Sequence, residues 1–341
     1  MIDTGLPSRV GEGSAPNEAT QTHLARVLAI FPEIKASGRC LAFKEDFRVK
    51  ANLKWILAIC VFALSLSVGS EAHAKEAQSR ILYGANASAG HYFQVDDAKI
   101  YYETYGSGGT PLVLLHGGLY GYIEEFGDLI QQMSRYRRVI AIATRGHGRS
   151  ELGTKPFSYK LFANDAFAVI RHETSGKVDV LGFSDGAVTS YTLTAAHPEL
   201  VRRLVAIGGP RKFADWAADA QAEFNNTKPG DVERDSPQFV ADRKKLMPQP
   251  ERWQEFVERL NAMESGPVYV SDEQIRSIKV PTLIVAGDRD QYNQTAKFVE
   301  LFQLLPSGEL AIIPGCGHVV LACKGSFTIA AVEAFLDSPE K

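Results

Sequence analysis

The sequence predicts an α/β fold: a mostly parallel central sheet with helices on both faces and a small helical cap inserted late in the chain. Three observations lead there. Short apolar runs alternate with helix-length stretches from about residue 111 to the C-terminus, the pattern of successive βαβ units. One run, Val178-Asp179-Val180-Leu181, turns into a helix-like stretch from Ala187 to His197 through Gly182-Phe183-Ser184-Asp185-Gly186. Between Gly209 and about Arg276 the alternation gives way to helical segments rich in charge and aromatics, broken at Pro229-Gly230, Pro237 and Pro248 to Pro250.

Taken in order, Tyr92-Phe93-Gln94-Val95 and Lys99-Ile100-Tyr101-Tyr102-Glu103-Thr104, joined around Asp96-Asp97, read as an antiparallel hairpin. Strands are predicted at 111–115, 138–142, 177–182, 202–207, 281–286 and 309–313, with helices near 123–135, 160–173, 186–197, 293–304 and 326–336. Right-handed crossovers cover both faces of such a sheet, so its strands need no polar side. In the insertion at 210–276, Trp216, Phe224, Phe239, Trp253 and Phe256 are expected mainly as cap core, with some of them roofing the substrate.

The N-terminal region reads differently. Trp55 to Gly69 is an apolar run preceded by Lys50 and Lys54 and followed by Ala72-His73-Ala74. A basic flank, a core too short for an easy bilayer crossing and an Ala-x-Ala site fit a secretory signal peptide cleaved after Ala74, the alternative being an uncut membrane anchor. Some fifty residues precede it, which predicts that translation begins nearer Val49. The chain is thus expected to divide into residues 1–74, extension plus signal peptide, and 75–341, the folded domain, exported to the periplasm or medium and meeting the membrane only in transit. Cys316 and Cys323, left after such processing, are expected as buried free thiols, with a disulfide as the other possibility.

Of 341 residues, 45% are hydrophobic and 23% charged, with a formal net charge of -3 and pI near 6.3. That suits one soluble α/β domain with an insertion and leaves no broad basic surface for nucleic acid. No metal cluster, dinucleotide-binding glycine fingerprint or phosphate loop is evident, so no cofactor and no metal is expected.

The chemistry centres on Ser184. On a sharp strand-to-helix turn a serine takes a strained backbone conformation that lifts its Oγ above the sheet, and side chains two residues either side would clash, hence Gly182 and Gly186. A hydroxyl is a poor nucleophile near neutrality and needs a base held in one tautomer by an acid. Of His91, His116, His147, His172, His197 and His318, only His318 lies on a glycine-flanked loop after the last strand, Pro314-Gly315-Cys316-Gly317-His318. His116 is expected to brace the loop His116-Gly117-Gly118-Leu119, His147 the loop at Arg145, and His197 ends a helix. Asp288 and Asp290, in Gly287-Asp288-Arg289-Asp290, are the competing acids. For a tetrahedral oxyanion, one donor should be the N–H of Asp185 at the helix start and the other the N–H of Gly118, or failing it Leu119. The Asp185 carboxylate itself is read as a favourable charge in the first helical turn, with attraction of a cationic substrate group as the weaker reading.

The order Ser…Asp…His, each past the carboxyl end of a strand, together with the loop at 116–119, resembles the α/β-hydrolase superfamily from about His91 to the C-terminus. Arg145-Gly146-His147-Gly148-Arg149-Ser150 is similar to that family's Asp-x-Arg-Gly-x-Gly-x-Ser segment, with Ala143 at the usual acidic position; this departure is expected to alter loop bracing rather than catalysis. Gly-x-Ser-Asp-Gly further resembles the biphenyl-hydrolase-like and valacyclovir-hydrolase-like esterases. The resemblance implies Asp290 as the triad acid, with Asp288 capping a turn, and, because aspartate does not occupy the elbow, disfavours attack on alkyl carbon. Together with the signal-peptide reading, it implies an exported serine hydrolase of small to medium carboxylic esters working through an acyl-enzyme. A ligand-binding receptor with a slow triad, an acyltransferase and a carbon–carbon bond hydrolase of the same fold are the alternatives.

Overall fold

A computed structural model describes residues 81–339. The expected extension and signal peptide, residues 1–74 with the apolar run 55–69, lie outside the described residues.

Eight strands form one sheet: β1 (Gly90–Val95), β2 (Ala98–Tyr105), β3 (Leu112–Leu115), β4 (Val139–Ile142), β5 (Val178–Phe183), β6 (Val201–Ile207), β7 (Thr282–Gly287) and β8 (Gly308–Ile313), in the order β1-β2-β4-β3-β5-β6-β7-β8. The β1/β2 hairpin and the β2/β4 pair are antiparallel and every other pairing is parallel. β3, β4 and β5 are buried at every residue, which is why they read as unbroken apolar runs, whereas the edge strands β1 and β8 keep exposed positions.

Helices cover both faces. One core packs α2 (Tyr159–Glu173), α3 (Asp185–Ala196) and α9 (Thr295–Leu304) onto the sheet through Ala166, Val169, Tyr191, Phe298 and Leu301. The other packs α1 (Gly127–Met133) and α10 (Val320–Leu336) through Leu129, Met133, Ile329 and Val332. Each fully buried aliphatic side chain contributes about 1.5–3 kcal/mol. α2 starts where it does because the Ser158 side chain accepts from the Leu161 N–H.

Three helix boundaries depart from the sequence reading. The helix expected at 123–135 is a 3-10 turn, Ile123–Phe126, followed by α1, with Gly127 at the junction, where its N–H donates to the Glu124 carbonyl. The helix expected from 293 begins at Thr295, because the N–H groups of Tyr292 and Asn293 are held by Asp290 Oδ1 instead. α10 begins at Val320 rather than 326; a non-helical Lys324 (φ -136°, ψ 58°) beside Gly325 kinks it and hides its first turn from a periodicity reading.

Residues 213–277 carry α4 (Ala218–Asn226), α5 (Pro229–Asp235), α6 (Pro237–Leu246), α7 (Trp253–Glu264) and α8 (Asp272–Ser277). Trp253, Phe256, Val257 and Leu260 lie three and four residues apart on α7 and are buried together with Leu152, Phe162 and Val188 of the main body. The cysteine expectation is overturned: Cys316 and Cys323 form a disulfide, their Cα atoms 5.8 Å apart. Bridging feasibility depends on this distance, which the sequence does not carry.

Candidate active site

Strand register sets the site. Leu115 of β3 lies opposite Gly182 of β5, so the loop from His116 and the turn at Ser184 emerge side by side. Gly287 of β7 lies opposite Ile313 of β8, so the loops carrying Asp290 and His318 emerge together as well. All of these leave carboxyl ends of parallel strands, where open α/β sheets place ligands.

Ser184 has φ 54° and ψ -117°, a conformation that costs on the order of 1–3 kcal/mol outside glycine. Close packing around it demands the two flanking glycines: a β-carbon at 182 would lie 2.1 Å from the Gly186 carbonyl oxygen, and one at 186 would lie 1.9 Å from that of Leu115. The turn holds Ser184 Oγ 3.1 Å from His318 Nε2, and His318 Nδ1 is 2.9 Å from Asp290 Oδ2. Asp290 is fully buried at its side chain and His318 is 7% exposed. With Nδ1–H donating to the carboxylate, Nε2 is left to accept from the serine.

Asp288 goes elsewhere: its Oδ1 accepts the Gly315 N–H at 2.5 Å and closes the histidine loop. Asp290 is held by more than His318. Asn293 Nδ2 donates to Asp290 Oδ2 at 3.3 Å and to the Gly208 carbonyl at 3.2 Å. Sequence reasoning missed Asn293, although Asp290-Gln291-Tyr292-Asn293 is the spacing at which an aspartate accepts from backbone two and three residues on. It also left Tyr292 and Phe183 unplaced among the rings around the base. Tyr292, Phe183 and Trp216 stand 5.1, 5.0 and 6.2 Å from the His318 ring. Trp216 is therefore both buried and a wall of the site, while Trp253 and Phe256 are core.

The two segments expected to supply oxyanion donors flank the serine. Asp185 is the first residue of α3, directly after Ser184, and the 116–119 loop lies over the elbow, with a β-carbon at Gly117 reaching 3.5 Å from Ser184 Cβ. The Gly117 N–H is taken by Glu125 Oε1 at 2.9 Å, whereas the N–H groups of Gly118 and Asp185 meet no acceptor among the described residues. Burial pushes the Glu125 carboxyl up to about 8. His116 braces the same loop. Its Nε2 accepts from the Thr144 N–H at 3.0 Å, so Nδ1 carries the proton and donates to the Gly117 carbonyl at 2.7 Å. Burial lowers His116 to about 4, which keeps this neutral tautomer.

Ala143, at the position where an acid was looked for, leaves the bracing to others. Ser150 Oγ donates to the Ala143 carbonyl and accepts from the Tyr101 N–H, both at 2.8 Å. Arg145 pairs through two nitrogens with buried Asp165, at 2.5 and 3.0 Å, and with Asp97 at 2.6 Å.

Comparison with known proteins agrees with this fold. The model of the alpha/beta hydrolase family matches residues 112–323. The chain is 27% identical over 241 residues to a protein of Haemophilus influenzae named "Putative esterase/lipase", covering 67% of this chain and 84% of that one. It is 24% identical over 275 residues to 2-(acetamidomethylene)succinate hydrolase of Mesorhizobium japonicum, covering 74% and 99%. Among solved structures, a serine hydrolase involved in carbazole degradation superposes with a TM-score of 0.61 at 22% identity, over 72% of this chain and 98% of that one; at that identity the likeness concerns the fold.

Proposed function

The chain belongs to the alpha/beta hydrolase family, and from that premise we propose that it is a serine hydrolase cleaving carboxylic esters of small to medium size through an acyl-enzyme. The observation that carries the reading is the continuous relay from Asp290 through His318 to Ser184 Oγ. His318 Nε2 takes the serine proton as Oγ attacks the ester carbonyl, and Asp290 holds the imidazolium that results. The oxyanion forms between the N–H groups of Asp185 and Gly118, the first aided by the positive end of α3. His318 then returns the proton to the leaving alcohol and activates a water for deacylation. Trp216, Tyr292 and Phe183 restrict the space beside the base, which favours acyl groups of limited size.

Export belongs to the same proposal. The apolar run 55–69 with its basic flank and Ala72-His73-Ala74 supports it, as does the Cys316–Cys323 bond, which persists in oxidising compartments. Intact mass spectrometry of the secreted protein tests it: a chain starting at Lys75 is expected, and one retaining residues upstream of Ala72 overturns it.

Hydrolysis of a p-nitrophenyl ester series of increasing acyl length, by wild type beside Ser184→Ala, tests the activity. Turnover with an optimum at short or medium chains, abolished in the variant, is expected. Turnover that survives in Ser184→Ala, or a folded wild type silent on every ester, would overturn it.

A further inference from the structure

Two acids that the relay does not use meet beside it. Asp185 opens α3 and Glu264 closes α7 of the insertion, and they are 5% and 6% exposed. Both carboxyls converge on the α-carbon of Gly118: a β-carbon built there would lie 2.6 Å from Glu264 Oε1 and 2.8 Å from Asp185 Oδ2. Glycine at 118 is thus what lets the loop approach the acids so closely. The Tyr159 hydroxyl donates to Asp185 Oδ1 at 2.9 Å, but no N–H group and no other hydroxyl reaches Oδ2. Among the described residues no Arg or Lys pairs with either carboxyl.

Two ionised carboxylates this close and this dry repel strongly, so the pair holds a proton between them. Burial raises both acids, and the charge on Asp185 raises Glu264 further. The other titratable groups facing the pair are Tyr159 from α2, Tyr269 after α7, whose hydroxyl donates to the Glu264 carbonyl, the exposed Glu223 of α4, and His318. None supplies a fixed positive charge.

We infer that Glu264 shares a proton with Asp185 and is thereby a positioning residue for the oxyanion loop, tying the inserted helices to the elbow and holding the charge beside the nascent oxyanion at one unit rather than two. The inference rests on the hydrolase reading, since it assigns the oxyanion to the Gly118 and Asp185 donors. A second negative charge there opposes the oxyanion directly and pushes α7 away from α3. The sign follows: the arrangement holds while the shared proton is bound and is lost as pH rises through its titration.

The test is kcat/KM for an ester followed by pH-stat from about pH 6 to 10, on full-length wild type, Glu264→Gln and Asp185→Asn, beside a carboxyl carbon-13 NMR titration of wild type with the Glu264 signal assigned by the variant. Wild type is expected to lose about tenfold or more at the alkaline end. In Glu264→Gln the amide donates to Asp185 at every pH, and the alkaline fall is expected to flatten. Asp185→Asn removes the charge from the other side and should flatten it too if the first variant does not fold. An equal alkaline fall in wild type and variants, or Glu264 titrating in the ordinary carboxylate range, overturns the inference. If no form hydrolyses any ester, the hydrolase reading fails, while the NMR titration still decides whether the pair shares a proton.

Discussion

The strand-end loops and the inserted helices place residues around one serine by different means. Ser184, Asp290 and His318 are positioned by backbone: register aligns β3 with β5 and β7 with β8, and the elbow conformation leaves little freedom for the hydroxyl. Glu264 is brought in by side-chain packing of α7 against the main body, and Trp216 by the segment before α4, which bridges to Asn293. The first kind of placement is encoded locally, by glycines and turn acids within a few residues of the reacting group. The second is encoded by contacts between residues some 80 positions or more apart in sequence.

The sharpest way to break the comparison is at the two aspartates of one turn. Asp290→Asn should lower kcat by about 10⁴-fold, because the histidine loses the partner that fixes its tautomer. Asp288→Asn, which loosens only the Gly315 turn, should cost less than about tenfold. Comparable losses would mean that the loop and not the relay sets activity.

A backbone-encoded elbow should also be intolerant of a single methyl group. Gly186→Ala drives a β-carbon against the Leu115 carbonyl and should destabilise the fold by about 3 kcal/mol or more in urea unfolding. A loss below about 1 kcal/mol would show that the elbow relaxes and that close packing there is not the constraint.

The oxyanion loop should show its own pH signature. His116 is neutral when folded, with its pKa lowered from 6.5 to about 4 by burial. Between those values the unfolded histidine binds a proton that the folded one refuses, so stability is full above about 6.5 and falls as pH drops toward 4. Unfolding free energies across that range should fall by roughly 3 kcal/mol more in wild type than in His116→Gln. Equal slopes would remove His116 from the bracing role.

The smallest effect is expected at the wall of the site. Trp216→Ala should shift the acyl-length optimum upward by opening the wall beside His318, with about tenfold or less lost in kcat/KM on the best short ester. An unchanged optimum would move the specificity wall to Tyr292 or Phe183.

Legibility followed the same division. All eight strands could be read, because strands buried on both faces are continuous apolar runs and the hairpin announces itself at Asp96-Asp97. Ser184 and His318 were legible from glycine-rich turns after strands, and Asp290 once the family resemblance supplied its spacing. Helix starts were less so: α9 is delayed by Asp290 holding the two preceding N–H groups, a tertiary use of backbone that periodicity does not register. Asn293 could have been found from its spacing to Asp290. Glu264 could not, since a glutamate at the end of an amphipathic helix reads as solvated until its neighbour Asp185 is known. The disulfide, held open in the sequence beside free thiols, turned on the 5.8 Å Cα separation of Cys316 and Cys323, which only the fold supplies.

The most direct test of the central claim is covalent capture. Folded wild type treated with a fluorophosphonate, digested and mapped by mass spectrometry should carry one adduct, on Ser184, and His318→Ala should label far more slowly. An unlabelled folded protein, or an adduct on another residue, would contradict the assignment of Ser184 as the nucleophile.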